Sequence, residues 1–193
     1  MLRSIFPSFV LIIALSSIAE ACGPRVEIRF YEDAGGDVFE ITNTSQEAWS
    51  VASLVLTLTG SRGRLVFDTE DGGLGASMYQ PFSAGREDVG FIGASPVNDG
   101  SEVVALKFSE FRPGQTFTFV VDVDDRLQSE TFFEEYDGQA MVSDAEIEGA
   151  SGSARMIKLS EEGAGIRARE EARAEGAFGS KGLAVLGGGG LCA

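Results

Sequence analysis

Apolar and polar residues alternate with a period of two along most of this chain, most clearly over residues 116–125, Thr-Phe-Thr-Phe-Val-Val-Asp-Val-Asp-Asp. Phe117, Phe119, Val121 and Val123 fall on one face, and Thr116, Thr118, Val120, Asp122 and Asp124 on the other, the pattern of a half-buried strand. A one-residue slip would put the phenylalanines in water and the carboxylates in the core, so the register is strongly specified. The rest of the fold is expected to organise around this strand, which runs out into acid at its end.

The same period predicts strands over 25–31, 38–42, 50–59, 65–68, 88–92, 103–108 and 153–159, with short candidates at 140–142 and 145–147. Turn chemistry lies between them. Ala34-Gly35-Gly36-Asp37 closes an opening hairpin, Gly60-Ser61-Arg62-Gly63 and Asn98-Asp99-Gly100 follow, and Pro113-Gly114 has the residues of a type II turn. Gly35-Gly36-Asp37-Val38 is similar to one calcium-binding nonapeptide repeat, but a β-roll needs several copies at fixed spacing, so a turn is expected there. Strands at this spacing predict an all-β fold, a single antiparallel β-sandwich of jelly-roll or Ig-like Greek-key type, over residues 22–159. Two long loops interrupt it, a glycine-rich one over 69–86 and an acidic, aromatic one over 130–138, and loops on a β scaffold are the usual carriers of function.

From Ser160 the pattern changes. Ile166 to Glu175, Ile-Arg-Ala-Arg-Glu-Glu-Ala-Arg-Ala-Glu, consists of good helix formers with Arg167 and Glu171 four apart, yet its apolar surface is one isoleucine and three alanines. Residues 160–193 are therefore expected to form a solvated helix or a disordered low-complexity tail, glycine-rich before Leu191-Cys192-Ala193. Leu183 to Leu186 is too short to span a membrane.

The start of the chain adds a compartment. Met1-Leu2-Arg3, an apolar run at 10–15 and the small residues of Ala19-Glu20-Ala21 have the layout of a secretory signal over residues 1–21. That run is shorter than the about 20 residues a membrane span requires. Secretion to the periplasm or the exterior is the expected localisation. Fifteen basic residues against 30 acidic ones give a net charge of −15, a surface that repels nucleic acid and anionic lipid and suits divalent cations or basic partners. The chain has no histidine, which excludes Ser-His-Asp and Cys-His nucleophile systems and every histidine-containing zinc site. Nor does it contain the glycine-rich phosphate-binding, dinucleotide-binding or Gly-x-Ser-x-Gly motifs.

Three aspartates at the end of the 116–125 strand are the strongest candidates for chemistry. Asp122 and Asp124 lie side by side on one face and Asp125 begins the loop, so their charges need compensation. A calcium ion on Asp122, Asp124 and Asp125, with Asp99 or Asp68 completing the oxygen shell, provides it, and plentiful extracellular calcium fills even a weak site. The alternative is a solvated strand end facing Arg126 or Arg112. Trp49, Tyr79, Phe132, Phe133 and Tyr136 are candidates for stacking on a sugar, with Trp49 alternatively closing the end of the core. Among 30 acids some pair falls at the spacing of a glycoside hydrolase, so two-carboxylate hydrolysis is a third, less favoured expectation. Cys22 and Cys192, in an exported chain, are expected to be oxidised, as an intramolecular or an intermolecular bridge, with lipidation of Cys22 as the alternative for that residue.

Phe67-Asp68, Gln80-Pro81-Phe82, Asn98-Asp99-Gly100, Phe108-Ser109-Glu110-Phe111-Arg112-Pro113-Gly114 and the 116–125 strand occur in an order and spacing that resembles the bacterial secreted proteins labelled aggregation factor core, named after the sponge adhesion proteoglycan. The resemblance runs from Val26 to Ile157 and includes Glu146-Ile147-Glu148-Gly149-Ala150. It implies a secreted or cell-surface β-sandwich with an adhesion or matrix role, a protein or glycan partner at the cell surface, and no established catalytic residues. Many such proteins end in an apolar sorting helix and basic tail, from which this chain departs. A non-catalytic adhesion or extracellular-matrix module with a calcium-stabilised loop is the leading expectation, and a carbohydrate-binding module the alternative.

Overall fold

A computed structural model of the protein describes residues 23–33, 35–75, 79–125, 146–162 and 165–189, with the backbone alone over 159–162 and 165–169. Every regular element among the described residues is a strand: β1 (Arg25–Tyr31), β2 (Val38–Asn43), β3 (Trp49–Thr57), β4 (Leu65–Asp68), β5 (Ser83–Ala84), β6 (Phe91–Ala94), β7 (Val103–Phe111), β8 (Thr116–Val120), β9 (Asp122–Asp125), β10 (Ser151–Glu162), β11 (Gly165–Ala177) and β12 (Leu183–Gly187). Ten of them form one continuous antiparallel sheet in the order β5-β8-β2-β1-β12-β11-β10-β3-β7-β6, and β4 pairs with β9 in a separate ribbon. Among the described residues no helix is long and apolar enough to cross a membrane.

The sheet curls until its ends meet. Alternation turns Val26, Ile28 and Phe30 of β1, Phe39 and Ile41 of β2, Val104, Leu106 and Phe108 of β7, and Phe117 and Phe119 of β8 inward, all buried. Phe117 stacks on Phe91 of β6 with ring centroids 4.7 Å apart and meets Phe108 edge-on at 5.2 Å, although β8 stands near one end of the strand order and β6 and β7 at the other. Phe39 stacks on Phe119 at 4.8 Å. Burial of one such ring contributes roughly 1.5 to 3 kcal/mol, and the ring pairs add to this. This aromatic column draws the ribbon of strands into a closed layer.

Asn43, at the end of β2, ties one side of that closure. It is fully buried. Its Nδ2 donates to the carbonyls of Trp49 (2.7 Å) and Phe111 (2.9 Å), at the start of β3 and the end of β7, while its Oδ1 accepts from the Ser45 N–H at 3.2 Å. Its backbone N–H donates to the Gln115 carbonyl and its carbonyl accepts from the Gly114 N–H. One side chain thus joins strands that stand third, eighth and ninth in the sheet.

The strand expected over 116–125 is two strands. Past Val120 the backbone leaves β2. The Val121 N–H donates to the Asp37 carbonyl at 3.1 Å and the Asp122 N–H to the Gln80 carbonyl at 3.0 Å, and β9 then pairs with β4. The predicted alternation persists across the break, since Phe117, Phe119, Val121 and Val123 are all buried, but Asp124 is buried as well. The strand expected over 88–92 lies instead at Phe91–Ala94, with Ile92 left over as a bulge. Glu146 and Ile147, expected in a short strand, sit in a turn where Gly149 takes φ +94° and a Cβ would overlap the Gly60 carbonyl, so the two loops touch backbone to backbone. Residues 1–21, Cys22, the 130–138 loop, 140–142 and Cys192 lie outside the described residues.

The expected helical or disordered tail is corrected over its described residues. Far from being an appendage, β11 and β12 stand at the middle of the sheet, between β10 and β1. On the inner face Gly152, Ala154 and Met156 of β10 lie opposite Gly176, Ala174 and Ala172 of β11. A Cβ at Gly152 would come within 3.1 Å of Ile28 on β1 and of Leu186 on β12. Little room is left at this point of the inner face, and small residues are what fit. The alanines read as helix formers because helix propensity rewards the same small side chain, and pairing with β10 along the length of β11 overrides that propensity.

Asn43→Ala is expected to leave two buried carbonyls and one N–H unpaired and to cost about 3 kcal/mol or more. Denaturant unfolding checks this: a midpoint unchanged from the parent would show that the closure does not depend on Asn43.

Candidate metal centre

The β4–β9 ribbon has two unlike faces. Leu65, Phe67 and Val123 belong to the hydrophobic core. By alternation Asp68, Asp122 and Asp124 share the opposite face, because Asp68 pairs across the ribbon with Asp122 and Asp124 lies two residues further along β9. One carboxylate oxygen from each of the three falls within 4.8 Å of the others. Asp68 and Asp124 are buried, and Asp122 is half-buried.

Loop 69–75 closes over this face. Asp99 pins it by accepting the Thr69 N–H at 3.2 Å and the Leu74 N–H at 2.8 Å. Gly75 lies so close that a Cβ there would overlap the Asp68 carboxylate. Here the glycine serves a close approach of backbone to side chain. Gln80, just beyond, fastens the ends of the ribbon, since its N–H donates to the Asp68 carbonyl and its carbonyl accepts from Asp122. Asp37, in the turn between β1 and β2, is 3 % exposed and grips β9 from the other side, its Oδ2 accepting the Val123 N–H at 2.9 Å and its Oδ1 the Asp33 N–H at 3.1 Å.

The electrostatics record a site crowded with negative charge. Burial pushes Asp37 up to about 8, against the pull of its two backbone donors and with Asp122 adding to the rise. Burial, then the hydrogen bond and charge of Asp99, lift Asp68 to about 7. Burial lifts Asp122 to about 6. Asp99 goes the other way: burial would raise it, but the Leu74 and Thr69 N–H groups outweigh that and hold its carboxyl below the usual value. Asp68 Oδ1 is buried and has no hydrogen-bond partner among the described residues. An orphaned carboxylate oxygen beside two further carboxylates and a loop of glycine backbone is a donor set for a hard cation, which takes oxygen ligands and neutralises the charge that burial penalises. Asp68, Asp122 and Asp124 are the residues that would hold such a cation.

Of the residues singled out from the sequence, Asp68, Asp122 and Asp124 come together, and Asp99 adjoins them as the staple of the loop. Asp125 does not join. It points to the other face of β9, toward Gly63 and Glu146, and burial with the nearby Glu146 raises its pKa. Trp49 is 6 % exposed, with the Lys158 ammonium 5.7 Å from its ring centroid, so its ring closes the core and offers no open platform for a sugar. Tyr79 is exposed next to the site. Phe132, Phe133 and Tyr136 lie outside the described residues. Asp37 and Gly75 were the residues sequence reasoning missed. Asp37 had only its place after two glycines to mark it, and Gly75 only its loop.

Carboxyls whose pKa is raised by folding bind protons more tightly in the folded state, so the stability they allow is complete below their unfolded value near 4 and is lost as pH rises through about 6, 7 and 8. In chelator, the melting temperature is expected to be higher at pH 5 than at pH 8, and a curve that rises across that interval would contradict the crowding described above. Set against known proteins, the chain matches no protein-family model, no curated protein and no solved structure, and the assignment of this centre stands on its geometry.

Proposed function

We propose that this protein is a secreted, non-catalytic adhesion or matrix-interaction module whose ribbon and loop 69–75 are held in place by calcium. The observation that carries the proposal is the buried triad of Asp68, Asp122 and Asp124 with its unpartnered Asp68 oxygen. A secretory signal over residues 1–21, a net charge of −15 and the resemblance to aggregation factor core proteins support the extracellular role. The partner is a protein or glycan at the cell surface. We read the curled sheet as a single sandwich of jelly-roll or Ig-like kind, a reading supported by the contacts of Phe117 with Phe91 and Phe108.

In this role the ion is structural. It lets three carboxylates stay ionised out of water, and it fixes the loop that covers them, so that the surface presented to a partner is the same in every copy. Labelled protein retained on intact cells in calcium and released by chelator is the outcome expected of an adhesion module.

Calcium at about 100 times its Kd adds about 2.7 kcal/mol to the folded state by linkage, a rise of roughly 5 to 10 °C in Tm for a chain of this size. Magnesium is expected to do less, because it holds its waters and demands octahedral geometry. Asp68→Asn separates ligand from scaffold. It is expected to raise the melting temperature in chelator, by removing a buried charge beside Asp99, and to abolish most of the calcium increment. A parent protein whose melting curve ignores millimolar calcium at constant ionic strength would end the calcium reading.

A further inference from the structure

The outward face of the sheet carries basic groups in a molecule dominated by acids. Cross-strand partners run in one row over four adjacent strands, Lys107 on β7, Ser53 on β3, Arg155 on β10 and Arg173 on β11. Leu54, Leu106, Ala154 and Ala174, next to them along their strands, are buried, which places all four of the row on the outer face. The row spans three strand intervals, roughly 14 Å at about 4.8 Å each. Arg155 and Arg173 stand directly opposite one another. Like charges in that position disfavour pairing unless carboxylates compensate them, and the chain sets two of its 15 basic residues here.

An open groove of about 460 Å³ lies along the row, lined by Ser53, Val55, Ser153, Arg155, Glu171 and Arg173. At present the guanidiniums are held by neighbours. Arg155 donates to Glu171 from Nε (3.2 Å) and Nη2 (2.5 Å), and Arg173 Nε donates to Ser153 Oγ (2.8 Å) and faces Glu175 (2.6 Å). All four charged side chains are more than half exposed. Ion pairs so exposed are weak and exchange readily, and an arginine fork released from one carboxylate accepts another in the same bidentate geometry.

We propose that this face binds an acidic polysaccharide laid across the strands, its acid groups exchanging with Glu171 and Glu175 on Arg155 and Arg173 and reaching Lys107 one strand beyond Ser53. Ser53 and Ser153 supply hydroxyls for the sugar, and Val55, 40 % exposed, an apolar contact for its ring. A peptide is disfavoured as occupant. Extended peptides are captured by free sheet edges, and β3 and β10, which carry the middle of the row, are interior strands paired along both sides. The field of a −15 chain opposes every polyanion, and it opposes nucleic acid most, because duplex DNA carries a charge about every 1.7 Å whereas an acidic polysaccharide carries at most about one per sugar. The inference rests on the adhesion reading for its biological sense and names the class of partner for it.

The test uses the full chain in calcium buffer, with binding of carboxymethyl-dextran, plain dextran, poly-glutamate and duplex DNA measured by calorimetry over a salt series. Carboxymethyl-dextran is expected to bind with an affinity that falls as salt rises, and the other three at least about ten-fold more weakly. The double variant Arg155→Gln/Arg173→Gln is expected to lose at least about ten-fold in affinity for carboxymethyl-dextran, with its calcium-induced rise in melting temperature intact. Poly-glutamate or DNA binding as well as the acidic polysaccharide, parental affinity in the double variant, or no binding by the parent would each overturn the proposal. A parent that responds to calcium but binds no polymer fails on this inference alone, whereas one that binds the polymer without responding to calcium fails on the metal centre.

Discussion

Closure of the curled sheet depends on a buried side chain with no polar group left over. Asn43 engages both its amide hydrogens, its amide oxygen and its own peptide group, and the partners belong to strands from opposite ends of the strand order. Hydrophobic contact alone would bring those ends together without fixing how they meet, because apolar attraction is not directional. An amide that can be satisfied in one arrangement supplies the direction. The phenylalanine column supplies the driving force and Asn43 the alignment, and neither is sufficient without the other.

The acidic ribbon depends on that alignment at one remove. β9 begins where β8 can no longer pair with β2, and the residue that receives it, Asp37, belongs to the turn leading into β2. The core therefore sets where Asp122 and Asp124 stand. The cost of crowding carboxylates out of water is borne by a fold whose stability lies elsewhere, in the aromatic core. This division is usual for sites whose local arrangement is unfavourable until a ligand arrives.

The alternation rule gave most strands within a few residues of their observed limits because half-buried strands expose their pattern directly, as β1 and β2 do. It failed where burial occurs on both faces or where small residues are required by a neighbour. Asp124 is read from its own strand as lying on the polar face, a calcium ligand or a solvated strand end, and nothing local shows that it is buried. What buries it is the β4 ribbon, which comes from far earlier in the chain. The alanines of β11 were expected in a solvated helix or a disordered tail because nothing local reveals how close Gly152 of β10 lies to Ile28. The acid site was half legible: Asp122 and Asp124 are neighbours in sequence, and Asp68 was a candidate from composition, but the exclusion of Asp125 follows from the register of β4 and β9. Asp37 and Gly75 matter through distances that only the folded chain establishes.

The position of β11 and β12 bears on how the protein can be made. These strands follow all the other described strands in the chain, yet they occupy the centre of the sheet and form its bridge between β1, which precedes the others, and β10. Until they leave the ribosome, the facing edges of β1 and β10 have no partner, and no stable substructure of the early strands can contain the finished core. Folding is then a single late event dominated by contacts between distant parts of the chain, which makes it slow. Throughout that delay the unpaired edges are open to other chains. A chain arrested before Leu183 should present itself to the cell as a client for chaperones, whatever the quality of its first hundred and fifty residues.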